Sequence, residues 1–395
     1  MQINPLSGES EPAPLWRLSF RAGFLFAGAY AVLAMARWLQ WTLFPGHWHA
    51  DLPPHWWHAH EMVFGFAMAV VAGFLLTAVA NWTGIPGTRG GRLQLLFGLW
   101  LLARGVLWLA PVWIWLAWAA EMLFMLLLLT ELTRRVWTRR QWRNLLFVPI
   151  LLALAALDTA SYLSVDDPVT STRLHYGTLW MVTALVVIVG GRVIPLFTSN
   201  RLSLGIPPAP GWLDSLAIGS VVLVGVIITL GPMHRSDPWL QWLYLAGSLI
   251  HCYRLWRWQG WKTGGVPLLW SMHLSYLCIP LALAGLAWTT GDPVAEKNLL
   301  HLLAVGAIGG MILTMMSRVC LGHTGRALET PGYMAWAFAA IFVAGAMRAL
   351  LPLFAVELSP WAWRLSAMLW IFAFGCFLYR YLPILVSPRA DGKPG

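Results

Sequence analysis

The segment HWHADLPPHWWHAHEMVFGF, residues 47–66, gathers five of the chain's eleven histidines: His47, His49, His55, His58 and His60. Imidazole is the commonest protein ligand for transition metals and haem iron, and it is costly to place in lipid. Such a run at the mouth of an apolar helix points to metal chemistry. Trp48, Trp56 and Trp57 suit a headgroup belt, which accounts for the tryptophans but not for the histidines. His58 and His60 lie about 200° apart around a helix, so they face different neighbours and could serve two centres, or one could face headgroups. His55 and His58 are three apart and share a face, with Met62 one turn further on.

The elements that must hold these side chains are membrane helices. The chain is 59% hydrophobic and 11% charged, with mean hydropathy +0.66, against about 25% charged in soluble domains. The first fifteen residues are polar and Pro-rich without a basic stretch, so no cleavable signal peptide is expected. Cys252, Cys278, Cys320 and Cys376 are scattered along apolar runs and read as buried thiols. CxxCH is absent, so a haem here would be non-covalent and b-type.

Apolar runs of about 20 residues, enough to cross a bilayer, fall near 17–44, 56–80, 92–110, 112–133, 143–163, 173–197, 212–231, 238–258, 267–289, 297–320, 332–352 and 360–386. The breaks carry Pro and Gly, as in Pro86-Gly87, Pro207-Pro208, Gly264-Gly265 and Pro331-Gly332. The chain therefore reads as one all-α polytopic domain of twelve spans over residues 1–395. Arginine crowds the N-terminal flank and the loops after even-numbered spans, among them Arg17, Arg21, Arg89, Arg134, Arg139, Arg201, Arg257 and Arg326. By the positive-inside tendency both termini are cytoplasmic and the His-rich loop is outside. The net charge of +10 is then an orientation signal and not a nucleic-acid footprint.

Spans 2, 6 and 10 each begin near a histidine: His60, His175 and His301. Thr83, Thr198 and Thr324 lie 23 residues further on, and Arg192 and Arg318 lie 17 further on from His175 and His301. The matches suggest three four-helix repeats over 17–133, 143–258 and 267–386. A cofactor between the three spans would meet imidazoles at equal depth, as haem iron requires above and below its plane.

Three segments, WHAHEMVFGFAMAVVAGFLLTAVANWTG (57–84), GGRVIPLFTSN (190–200) and LLHLLAVGAIGGMILTMMSRVCLGHTGR (299–326), resemble the NnrS family of bacterial inner-membrane proteins. The resemblance covers nearly the whole chain. It implies a role in the response to nitric oxide and nitrosative stress, with haem and copper as cofactors. It makes His58, His60, His175 and His301 the leading ligands, with His55 and His49 as further metal candidates. Glu61, Arg192, Arg318 and His323 fall inside the same motifs, and Arg192 or Arg318 could bind a haem propionate or anchor the inner helix ends. Nitric oxide or a nitrosylated species is the implied ligand, and a quinol or other donor the implied reductant. A more distant likeness is to subunit I of haem–copper oxidases and nitric oxide reductases. This chain lacks their second histidine in span 10 and any histidine in span 7, so at best a reduced version of their site is expected.

Further polar residues sit deep in the spans. Arg104 and Glu121 flank the hairpin at Pro111 at similar depth and are expected to pair. Arg37, Asp158 and Arg348 are notable without a specific role. His251 and His273 read as satisfied bundle histidines. Gly190, Gly191, Gly306, Gly309 and Gly310 permit close helix packing or close approach of a flat cofactor, packing being the commoner reason. Two functions remain open: a haem- and copper-binding protein acting on nitric oxide, and a twelve-span secondary transporter of haem, metal or a small solute. No acid–base set in a defined cleft is visible, so no turnover is assigned.

Overall fold

Asp167 and Asp292 open two of the longest helices. Each accepts hydrogen bonds from the two backbone N–H groups beyond a first-turn proline: Asp167 from Val169 and Thr170, Asp292 from Val294 and Ala295. Proline has no N–H to lose at that position, and the carboxylate satisfies donors that the helix leaves open. Asp292→Ala is expected to lower stability by about 1 kcal/mol, read as a fall in the thermal midpoint of the purified protein. An unchanged midpoint would show that the cap carries no weight.

A computed structural model describes residues 11–48, 52–231 and 236–393. Among them, eleven helices are long and apolar enough to cross a membrane: α1 Ser19–Leu43, α2 Pro54–Thr83, α3 Gly91–Leu109, α4 Pro111–Thr138, α5 Trp142–Leu163, α6 Pro168–Leu202, α7 Gly211–Leu230, α9 Pro267–Trp288, α10 Pro293–His323, α11 Gly332–Phe354 and α12 Val356–Leu385. The remaining expected span, α8 Pro238–Arg257, is a helix of 20 residues made less apolar by His251, Arg254 and Arg257. His49, a metal candidate, and His234 lie outside the described residues.

Most helices consecutive in sequence pack side by side, α2 packs on α4 more closely than on α3, and α12 packs against α1. Arg21, buried at the start of α1, donates from Nη1 to the carbonyls of Leu385 and Ser387 at 2.9 and 2.7 Å, satisfying the open end of α12. That residue therefore fastens two helices as well as adding to the basic flank. The most buried helices are α10 and α2, with 89% and 72% of their apolar windows inside, followed by α9 and α6. The histidine-bearing helices are thus interior, while Trp115, Trp242, Trp256 and Trp336 cover the outside.

Both α2 and α10 change winding directly after a histidine. Residues Glu61–Ala67, following His60, and Leu302–Gly309, following His301, are π-helical. A π segment widens the turn and rephases the side chains on either side of it, and such segments occur often at functional sites. At the other end of the same helices the shared spacing is helix-stop chemistry. The hydroxyls of Thr83 and Thr324 donate to carbonyls four residues back, and Gly84 and Gly325 take left-handed φ of 65° and 71°.

Candidate metal and proton-holding sites at the histidine-rich end

His58 and His60 diverge, as their spacing requires. The His58 ring stacks on Trp38, with centroids 4.0 Å apart and planes at 18°, and His55 meets the edge of the same indole at 5.5 Å. His58 Nδ1 is buried without a hydrogen-bond partner. His301 donates from Nδ1 to the Lys297 carbonyl at 2.8 Å. That bond fixes the tautomer and leaves Nε2 with a free lone pair, the state in which a histidine ligates metal. His55, His58 and His301 all lie within the electrostatic reach of Arg348, and His58 also within that of His55, His175 and His301. Arg348 is held in place by a 2.7 Å bond from Nη1 to Asn298 Oδ1 and by the Trp363 ring. These imidazoles of α2 and α10 thus share the electrostatic surroundings of one fixed guanidinium.

His175 stands at the margin of this group. Its Nε2 is 3.1 Å from Ser161 Oγ, and Trp56 lies between it and His60, stacked on His60 at 4.6 Å and 10° and meeting His175 at 6.0 Å. The indole N–H of Trp56 donates to the Ser161 carbonyl at 3.1 Å, which locks this wall.

His60 faces a different environment, fully buried among acids. Its Nδ1 is 2.9 Å from Glu61 Oε1, and its Nε2 is 3.0 Å from Asp158 Oδ1 and 3.3 Å from Glu121 Oε2. Arg104 bridges Glu61 and Glu121 through its two terminal nitrogens, so the expected Arg104–Glu121 pair is present. Tyr162 donates to Glu121 Oε2 at 2.7 Å. Gly65, in the π segment, leaves room for Arg104 and the Tyr30 ring to approach, since a Cβ there would lie 3.1 Å from Arg104 Nη1 and 2.3 Å from Tyr30. The indole N–H of Trp100 caps the Gly65 carbonyl at 2.9 Å.

The remaining predicted residues are placed elsewhere. Arg192 and Arg318 sit 17 residues along from His175 and His301, about 25 Å away at 1.5 Å per residue. Arg192 donates to Asn144 Oδ1 at 2.9 Å, and Arg318 lies 3.8 Å over the Phe197 ring. Arg192 ties the interior of α6 to the start of α5, Arg318 packs α10 on α6, and both stand far from the imidazoles of His175 and His301. His323 packs on Phe20 at 5.6 Å. His251 is satisfied by Tyr276 and Ser220, and His273 Nε2 meets Thr198 Oγ1 at 3.0 Å. Arg37 is caged by Trp48, Trp57 and Trp108 at 4.7, 5.3 and 5.0 Å, so these tryptophans serve a half-buried cation that lines, with His47, a cleft of about 250 Å³. Cys278 and Cys320 are buried, as expected, but Cys376 is half-buried and Cys252 exposed.

The glycines of α6 and α10 are occupied by neighbouring side chains. A Cβ at Gly306, Gly309 or Gly310 would stand 2.6, 2.5 or 2.7 Å from Cys278, Trp370 or Ser275, and one at Gly191 would strike Arg254. These faces are packing surfaces and do not fit a flat cofactor. The nitrogens left to hold a small transition-metal ion are the unpartnered Nδ1 of His58 and the free Nε2 of His301.

No curated protein matches the sequence significantly. The family model described as NnrS protein matches residues 14–389 of the 395. With nearly the whole chain covered, the protein belongs to the NnrS family.

Proposed function

We propose that this chain serves the nitric oxide response from the bacterial inner membrane, holding a transition-metal ion at His58 and His301. Family membership supports the role, and one observation carries the site. The Nδ1 of His301 is committed to a backbone carbonyl while His58 Nδ1 is buried and unpartnered, so each of the two helices offers one donor nitrogen. His55 and His175 border them. The set suits copper, or iron of a haem seated away from the filled glycine faces. Such a metal supplies one-electron redox chemistry or capture of nitric oxide. The protein's own part is to orient the imidazoles, to exclude water with Trp38, and to offer Arg348 to an anionic ligand or product. The arginine-rich helix ends face the cytoplasm in this reading, with both termini inside and the imidazoles toward the outer face. Turnover would require an electron donor such as a quinol.

The test is copper and iron analysis of the detergent-purified protein, with optical and electron paramagnetic spectra before and after nitric oxide. About one copper or haem iron per chain is expected, with a spectrum that changes when nitric oxide is added. Loss of a ligand should weaken metal binding by at least the roughly 10–100-fold seen for outer-shell changes, so His58→Ala with His301→Ala should empty the site. Full metal content in that double variant would overturn the assignment. A wild-type protein free of both metals after growth with ample haem and copper would favour transport.

A further inference from the structure

The acids around His60 outnumber the one cationic side chain among them. With all three ionised, Glu61, Glu121 and Asp158 set three negative charges against the one of Arg104, and all four side chains are buried. Glu61 Oε2 and Asp158 Oδ2 are buried with no hydrogen-bond partner. Charge of that kind is not left uncompensated in an apolar interior. The ring of His60 sharpens the point. Both ring nitrogens face carboxylates, so in either neutral tautomer one lone pair is aimed at a carboxylate oxygen, an arrangement that is repulsive unless a cation lies between them.

We propose that His60, Glu121 and Asp158 form a binding site for a divalent first-row cation, separate from the His58–His301 group. Their donor atoms lie within 4.8 Å of one another. The separations of 3.0 and 3.3 Å from Nε2 to the two carboxylate oxygens equal an edge of a coordination sphere, since ligands at ~2.1 Å from a tetrahedral or octahedral ion stand about 3.0–3.4 Å apart. A divalent ion neutralises the two ligating carboxylates, and Glu61 with Arg104 forms a balanced pair, so the whole set becomes neutral. Glu61 also holds His60 by its second nitrogen, as outer-shell carboxylates do for ligating histidines. Tyr162 and Arg104 fix Glu121 from the sides. One imidazole and two carboxylates suit Mn²⁺, Fe²⁺ or Zn²⁺ better than a cuprous ion. The three ligands come from α2, α4 and α5, so the ion would also tie those helices together.

The inference does not rest on the imidazole site, and the experiment separates the two. The whole protein, purified in detergent, stripped with chelator and dialysed, is titrated with MnCl₂ and, in parallel, ZnCl₂. The His58→Ala, His301→Ala protein, which lacks the other site, should bind one equivalent, and at least about tenfold more weakly once Asp158→Asn or Glu121→Gln is added. Pulsed electron paramagnetic resonance of bound Mn²⁺ should show coupling to one imidazole nitrogen, absent in His60→Gln. Should the carboxylate variants fail to purify as monodisperse protein, the nitrogen coupling in the wild type still decides. No binding of either ion by the wild type, or Mn²⁺ binding without nitrogen coupling, would overturn the proposal and leave a proton between Nε2 and the acids as the compensating charge.

Discussion

Arg104→Met is expected to destabilise the protein by about 3–5 kcal/mol, the cost of removing one partner from a buried ion pair. Both terminal nitrogens of Arg104 are engaged, one with Glu61 and one with Glu121, and all three side chains are buried. Methionine fills similar volume, so the loss measured is charge rather than packing. Adding Glu61→Gln to Arg104→Met removes an anion with the cation and should recover most of the loss. Adding Asp158→Asn should recover less, because that carboxylate contacts His60 and not the arginine. The measurement is reversible unfolding in mixed detergent and denaturant micelles, compared across the single and double variants. An Arg104→Met protein within about 1 kcal/mol of wild type would mean that the guanidinium is not the main counter-charge of this cluster.

How much of that cluster the sequence could show depends on helix phase. Arg104 and Glu121 were legible as a pair because they flank one hairpin at similar depth, and a short connection leaves little freedom in how α3 meets α4. Glu61 and Asp158 were not, because their meeting depends on which face of α2 turns toward α3, α4 and α5. The π segment beginning at Glu61 shifts that phase, and nothing in the period of apolar residues announces it. For the same reason His60 reads from sequence as a partner of His175 and His301, whereas Trp56 stands between it and His175 and its nitrogens meet acids. The divergence of His58 from His60 was legible, since it follows from two residues of helical rotation alone. Helix boundaries were legible to within a few residues because they rest on apolar run length and on Pro and Gly stops. The roles of Arg21, Arg37 and Arg348 were not, because each is set by a carbonyl, an indole or an amide from a helix distant in sequence.

Gly191→Val is expected to destabilise the protein by about 3 kcal/mol or more, through a cation on another helix. A Cβ at Gly191 would stand 1.8 Å from Arg254 Nη2 and 2.5 Å from its central carbon, so the guanidinium has to leave. Arg254 donates to Asp214 at 2.6 Å, to the Tyr276 hydroxyl at 2.7 Å and to the Val187 carbonyl at 3.0 Å, joining α6, α7, α8 and α9. Tyr276 in turn meets His251 Nδ1 at 2.8 Å. Displacing the arginine breaks all three bonds and leaves a buried charge, which outweighs any gain in helix propensity on replacing glycine, at most about 1 kcal/mol. Gly191→Val with Arg254→Leu and Asp214→Asn should be more stable than Gly191→Val alone, because no displaced charge remains. Unfolding midpoints of the two proteins decide the matter, and equal midpoints would show that the valine is accommodated without moving Arg254. The second glycine of GGRVIP is then explained by an arginine from α8, while the arginine inside the motif anchors the start of α5 through Asn144. A motif can thus mark where a neighbour must fit as readily as where chemistry occurs.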